Sequence, residues 1–114
     1  MFFNSYRDYI KKIVSQNLGA DAFSSLEERQ ISSIEKDAER IVGKTGVSKE
    51  DAVALAAVNF RRDLKVHMGI LPPKYDEYMY EEELDEIDIK ILKNLSEKAL
   101  EPFSNEMKRR IRLT

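Results

Sequence analysis

The sequence predicts an all-α domain, a compact bundle of four main helices plus a short C-terminal helix, with a Pro-Pro linker after the central helix. Three observations predict it. Apolar residues recur at three- and four-residue spacings along most of the chain, cap-type residues and glycines punctuate those stretches, and no stretch alternates apolar and polar over strand length. A chain of 114 residues with 42% apolar content suits one packed core. The organisation expected is a three-helix core over residues 1–71, a linker over 72–78 and a C-terminal helical arm over 79–114.

The first helix runs from about Asn4 to Leu18, with Tyr6, Ile10, Ile13 and Val14 on one stripe, Asn4 or Ser5 as N-cap and Gly19 as terminator. Asp21 to Ser25 reads as a turn or a short helical piece holding Phe23. Ser24 and Ser25 each precede a glutamate by three residues (Glu27, Glu28), the spacing at which a cap hydroxyl and a carboxylate satisfy each other's free backbone N–H groups. They are expected to start a second helix with Ile31, Ile34, Ala38, Ile41 and Val42 inward, ending at Gly43 or Gly46.

Ser48 with Asp51 repeats the capping spacing and opens the most apolar segment, Ala52 to Val58. A helix apolar all round is buried all round. Beyond it the stripe narrows to Phe60, Leu64 and Met68, with Arg61, Arg62 and Lys65 expected to turn outward, until Gly69 and then Pro72-Pro73 stop the helix. Asp76 is expected to cap a fourth helix running to about Leu100, with Leu84, Ile87, Ile91, Leu92, Leu95 and Ala99 on one face. Pro102 breaks it, and a last helix from Ser104 places Phe103, Met107 and Ile111 on one side.

Composition excludes much chemistry. The chain has no Cys and one His, His67, so neither a thiolate site nor a multi-histidine metal centre is available within it. The longest apolar run, Ala52 to Val58, is far short of a membrane span, and the expected location is cytoplasmic. The N-terminal helix, with Phe2, Phe3, Tyr6 and Tyr9 beside Lys11 and Lys12, carries too few cations for firm membrane attachment and is expected to pack on the bundle or at a dimer interface. A charged fraction of 35% without Cys or Trp would also suit a thermophile.

Charge is unevenly laid out. Residues 76–88 hold eight acids and no base, residues 90–114 carry +4, and residues 1–75 carry +2, for a net charge of −2. Acids early and bases late in a helix complement its dipole, but several of these acids have no base four residues away. The sequence therefore points to a non-catalytic protein-docking or accessory subunit that meets a protein partner, or a second copy, through Tyr75, Tyr78, Tyr80, Glu81, Glu82 and Glu83. Tyrosine buries area at low entropy cost, and a charged rim selects the partner. The alternative is a nucleic-acid-associated accessory protein using Arg61, Arg62, Lys108, Arg109 and Arg110 to neutralise phosphates, a reading the acidic stretch opposes. A third is a small helical enzyme with a carboxylate metal site. Its candidate groups are Asp63 with His67, Glu82 with Asp85, Glu83 with Glu86, and Glu35 with Glu39, but no second acidic pair on another helix completes a cage. No cofactor is implied, because phosphate-loop, nucleophile-elbow and zincin spacings are missing.

Two segments carry partial resemblances. Residues 38–71, with Ile41, Thr45-Gly46-Val47-Ser48, Glu50, Ala52, Leu55, Asp63-Leu64 and Met68, resemble the three-helix ubiquitin-associated fold of nascent-chain-associated proteins. Asn59-Phe60-Arg61-Arg62 lacks the glycine turn that family places before its last helix, so one continuous helix is expected instead. Leu84-Asp85-Glu86-Ile87-Asp88-Ile89-Lys90-Ile91-Leu92 with Leu95, Ser104-Asn105-Glu106 and Arg110 to Thr114 is similar to the first two helices of the Lrp/AsnC helix-turn-helix. The recognition helix of that family follows this position, so the resemblance implies local geometry rather than DNA reading.

Overall fold

The computed structural model describes residues 5–73 and 81–113, and every regular element among them is helical. In chain order these are α1 (Tyr6–Leu18), α2 (Ala20–Ser24), α3 (Glu28–Thr45), α4 (Lys49–His67), a 3₁₀ turn (Glu81–Glu83), α5 (Glu86–Leu92), α6 (Glu97–Leu100) and α7 (Asn105–Arg112). The all-α bundle is as expected. One apolar cluster joins α1, α3 and α4 to α5, α6 and α7, with Ile10, Val53, Leu92 and Ile111 among its most enclosed side chains.

Local signals set most boundaries. Ser5 caps α1, its hydroxyl accepting from the Asp8 N–H at 3.1 Å, and Ser48 caps α4 in the same way through the Asp51 N–H at 3.1 Å. Ala52, Val53, Ala54, Ala56, Ala57 and Val58 are buried, so the first half of α4 is enclosed as its composition requires. Ser104 caps α7, whose Met107 and Ile111 face inward below Phe103.

Two boundaries differ from expectation. Ser24 and Ser25 do not start α3. Their hydroxyls donate back to the Ala20 and Asp21 carbonyls at 3.1 and 2.8 Å, closing α2, and α3 instead begins after Glu27, whose N–H donates to the Gln30 side chain at 2.8 Å. The long fourth helix is also interrupted. Asp85 and Asp88 form a reciprocal box that starts α5, each carboxylate accepting the other's backbone N–H at 2.8 and 3.0 Å. Turn residues Lys93 and Asn94 then separate α5 from α6. Ser96 restarts the helix as N-cap of α6 and donates its hydroxyl to Asp51, which also accepts the Ser96 N–H, at 2.6 and 3.2 Å. The Asp51 backbone N–H thus serves its own helix's cap, while its carboxylate serves a residue 45 positions away. Residues 74–80, most of the expected linker, lie outside the described residues.

Candidate functional site

The second half of α4 is rotated against the sequence expectation. Arg61, Arg62 and Lys65 do not turn to solvent; their side chains are 18, 12 and 22% exposed and reach the carboxylates of the arm. Arg61 donates to Asp85 at 2.8 Å and to Asp88, Arg62 donates to Glu83 at 2.9 to 3.2 Å, and Lys65 donates to Asp85 at 2.7 Å. Three cations on one helix therefore meet three acids of one short segment. Helical spacing alone cannot show this, because the partners are some twenty residues away in sequence.

Burial differs within that cluster, and so does its electrostatics. Asp88 is 3% exposed, and burial pushes its carboxyl above the ordinary range even though the Asp85 N–H and the Arg61 guanidinium pull the other way. Burial works in the same direction on Asp85, but hydrogen bonds from Arg61 and Lys65 outweigh it and hold Asp85 well below the usual carboxylate range. Burial also disfavours the Arg61 charge, and Asp85 and Asp88 together overcome that and hold its proton more firmly.

The rotation leaves an apolar stripe outside. Leu64 is 40% exposed, Met68 71% and Ile70 61%, while Phe60 is half-buried against the core. Ile70 is held there by backbone geometry. Gly69 takes the left-handed conformation at φ 76°, its N–H donates to the Val66 carbonyl at 3.0 Å, and the Ile70 N–H reaches the Lys65 carbonyl at 2.8 Å. This paired closure normally brings the residue after the glycine onto the last helical turn. Here that residue points its side chain largely to solvent. Asp63 and His67, on the flank of the stripe away from Arg61 and Lys65, are exposed and make no ion pair among the described residues.

The other sequence candidates fall as follows. Tyr75, Tyr78 and Tyr80 lie outside the described residues. Glu81 turns to α7, accepting the Ser104 N–H and hydroxyl at 2.8 and 2.6 Å. Glu83 is taken by Arg62, and Glu82 is exposed. Glu81, Glu82, Ser104, Glu106, Met107 and Arg110 border an open hollow of about 320 Å³. Of the basic candidates, Arg61 and Arg62 are engaged by the arm, whereas Lys108 and Arg109 on α7 make no ion pair among the described residues.

The carboxylate pairs considered for a cation are also placed. Glu83 and Asp85 are neutralised by α4, and Glu35 accepts from Arg7 at 3.1 Å. No group of three or more metal-ligating side chains gathers among the described residues, and no helix among them is long and apolar enough to cross a membrane. The sequence signal that was missed is the outward stripe itself. Leu64 and Met68 continue the buried period of α4, and only the carboxylates of the arm reveal that the other face turns in.

No match to this chain is found among known protein families, curated proteins or solved structures.

Proposed function

We propose that this protein is a non-catalytic docking subunit that meets another protein at the outer end of α4, with the acidic, tyrosine-bearing segment that follows it in sequence, Tyr75, Tyr78, Tyr80 and Glu82, completing the surface. One observation carries this reading: a helix-spaced apolar stripe, ending in Met68 and Ile70, stays exposed while the charged residues beside it are drawn inward. Burying side chains of this size yields about 1.5–3 kcal/mol each, enough for a few to anchor a contact. Glu81 and Glu83 are spent within the fold, so the acidic contribution rests on Glu82 and the residues before it.

The test is site-dependent association. Tagged full-length chain and its Met68→Asp, Ile70→Asp and Glu82→Lys variants are used to capture partners, and each variant is checked for unchanged helical circular dichroism. A specific partner lost from the stripe variants is the result expected. Association that is unaltered in all three variants, or no specific association at all, refutes the reading, and steeply salt-dependent retention of nucleic acid would replace it with the alternative that uses Lys108, Arg109 and Arg110.

A further inference from the structure

The stripe has a self-complementary rim, and from it we infer that the occupant of this surface is a second copy of the chain, with α4 packed antiparallel against α4 across a two-fold axis. The inference rests on the docking reading and adds the partner's identity. In helical projection Phe60, Leu64 and Met68 form a seam, Arg61 and Lys65 lie along one edge of it, and Asp63 and His67 along the other. The first edge is closed by the chain's own Asp85 and Asp88. The second edge is open and exposed.

Across a two-fold, an antiparallel pair brings each edge against the same edge of its mate, in reverse order. Centred one residue past Leu64, the pairing sets Leu64 against the second copy's Leu64 and Met68, turns Phe60 toward the mate's Ile70, and places Asp63 opposite His67 twice. A carboxylate thereby meets an imidazole N–H on both sides of the seam. The parallel arrangement would instead set this open edge against the mate's Arg61 and Lys65, cations that Asp85 and Asp88 of their own chain already hold. An isologous interface requires a patch that complements itself, and the open Asp63 and His67 edge meets its own copy only in the antiparallel direction. The seam is short, so the dimer belongs to the weak class, with a dissociation constant on the order of 10–100 μM.

Sedimentation equilibrium of the purified full-length chain across that concentration range tests it. Wild type is expected to shift from monomer to dimer, and Met68→Asp to weaken the dimer by at least roughly tenfold. His67→Glu sets two acids against each other and is expected to weaken it by roughly three- to tenfold. Combining it with Asp63→Lys recovers the wild-type constant, because opposite charges face again in the antiparallel register alone. All three substituted positions, 63, 67 and 68, have exposed side chains, so helicity and melting temperature serve as fold controls. A chain that stays monomeric throughout, a dimer indifferent to Met68→Asp, or a double variant no better than His67→Glu overturns the inference. A monomer whose capture of a different protein is still lost on Met68→Asp would overturn this inference while leaving the docking reading in place.

Discussion

Arg61 is the residue through which α4 holds the arm, and replacing it measures how firmly. Arg61→Met keeps much of the aliphatic stem and removes the guanidinium, which bonds Asp85 at 2.8 Å and also Asp88. Asp85 keeps Lys65, but Asp88, 3% exposed, is left with the Asp85 N–H as its remaining partner among the described residues. Stranding a buried carboxylate typically costs about 3–5 kcal/mol. Because Asp88 retains that hydrogen bond and burial already favours its protonated form, the lower end applies, about 3 kcal/mol. Against a total stability of about 5–15 kcal/mol this is a large loss. Urea unfolding followed by circular dichroism reads it as a lower midpoint at unchanged slope. Two controls isolate the cause. Arg112→Met breaks an exposed pair with Glu97, whose side chain is 85% exposed, and is expected to cost less than about 0.5 kcal/mol. Arg61→Met with Asp88→Asn removes the stranded charge while an amide oxygen still accepts the Asp85 N–H, and is expected to recover about half of the loss. An Arg61→Met variant as stable as Arg112→Met would refute the reasoning.

Three further outcomes follow from the same contacts. Asp85 is held below its ordinary value of 3.8, so its contribution is complete above that pH and is lost as pH falls through its lower folded value; Asp88, shifted upward, acts with the opposite sign. The stability gap between wild type and Asp85→Asn, read by urea titration, is therefore expected to narrow as pH drops below 3.8. Asp51→Ala removes the acceptor of both Ser96 hydrogen bonds and is expected to cost about 2 kcal/mol, with Ser96→Ala adding little on top because the two share one interaction. Gly46→Ala is expected to cost about 1–2 kcal/mol by thermal melting, since φ is +72° there and the added Cβ would stand 3.1 Å from the Lys98 Nζ.

What could be read from the residues in order was what depends on near neighbours. Ser5, Ser48 and Ser104 each cap a helix through an N–H three positions on, and Ala52 to Val58, apart from the half-buried Leu55, is buried because its composition leaves no polar face. Competing local bonds or distant partners decided the rest. Ser24 and Ser25 had two local uses and took the one that closes α2, leaving Glu27 and Gln30 to start α3. The break before Ser96 is tied to Asp51, 45 residues earlier. The facing of Leu64 and Met68 was misread because the apolar period gave one inward face, and the carboxylates of Glu83, Asp85 and Asp88 imposed another, while Phe60 packs against the core as its period implied. The candidate surface was legible only as an acidic stretch. Its apolar component became visible once the cations of α4 were seen to be occupied.

The facing of α4 can be measured directly because the chain contains no cysteine. Single substitutions Leu64→Cys, Met68→Cys and Val58→Cys, each labelled with a maleimide at protein concentrations well below 10 μM, report side-chain exposure one position at a time. Leu64→Cys and Met68→Cys are expected to react at close to the rate of a free peptide thiol, and Val58→Cys, which replaces a side chain 2% exposed, to be strongly protected. Protection at position 68 as deep as that at position 58 would mean that the stripe is inside, and the docking surface would not exist.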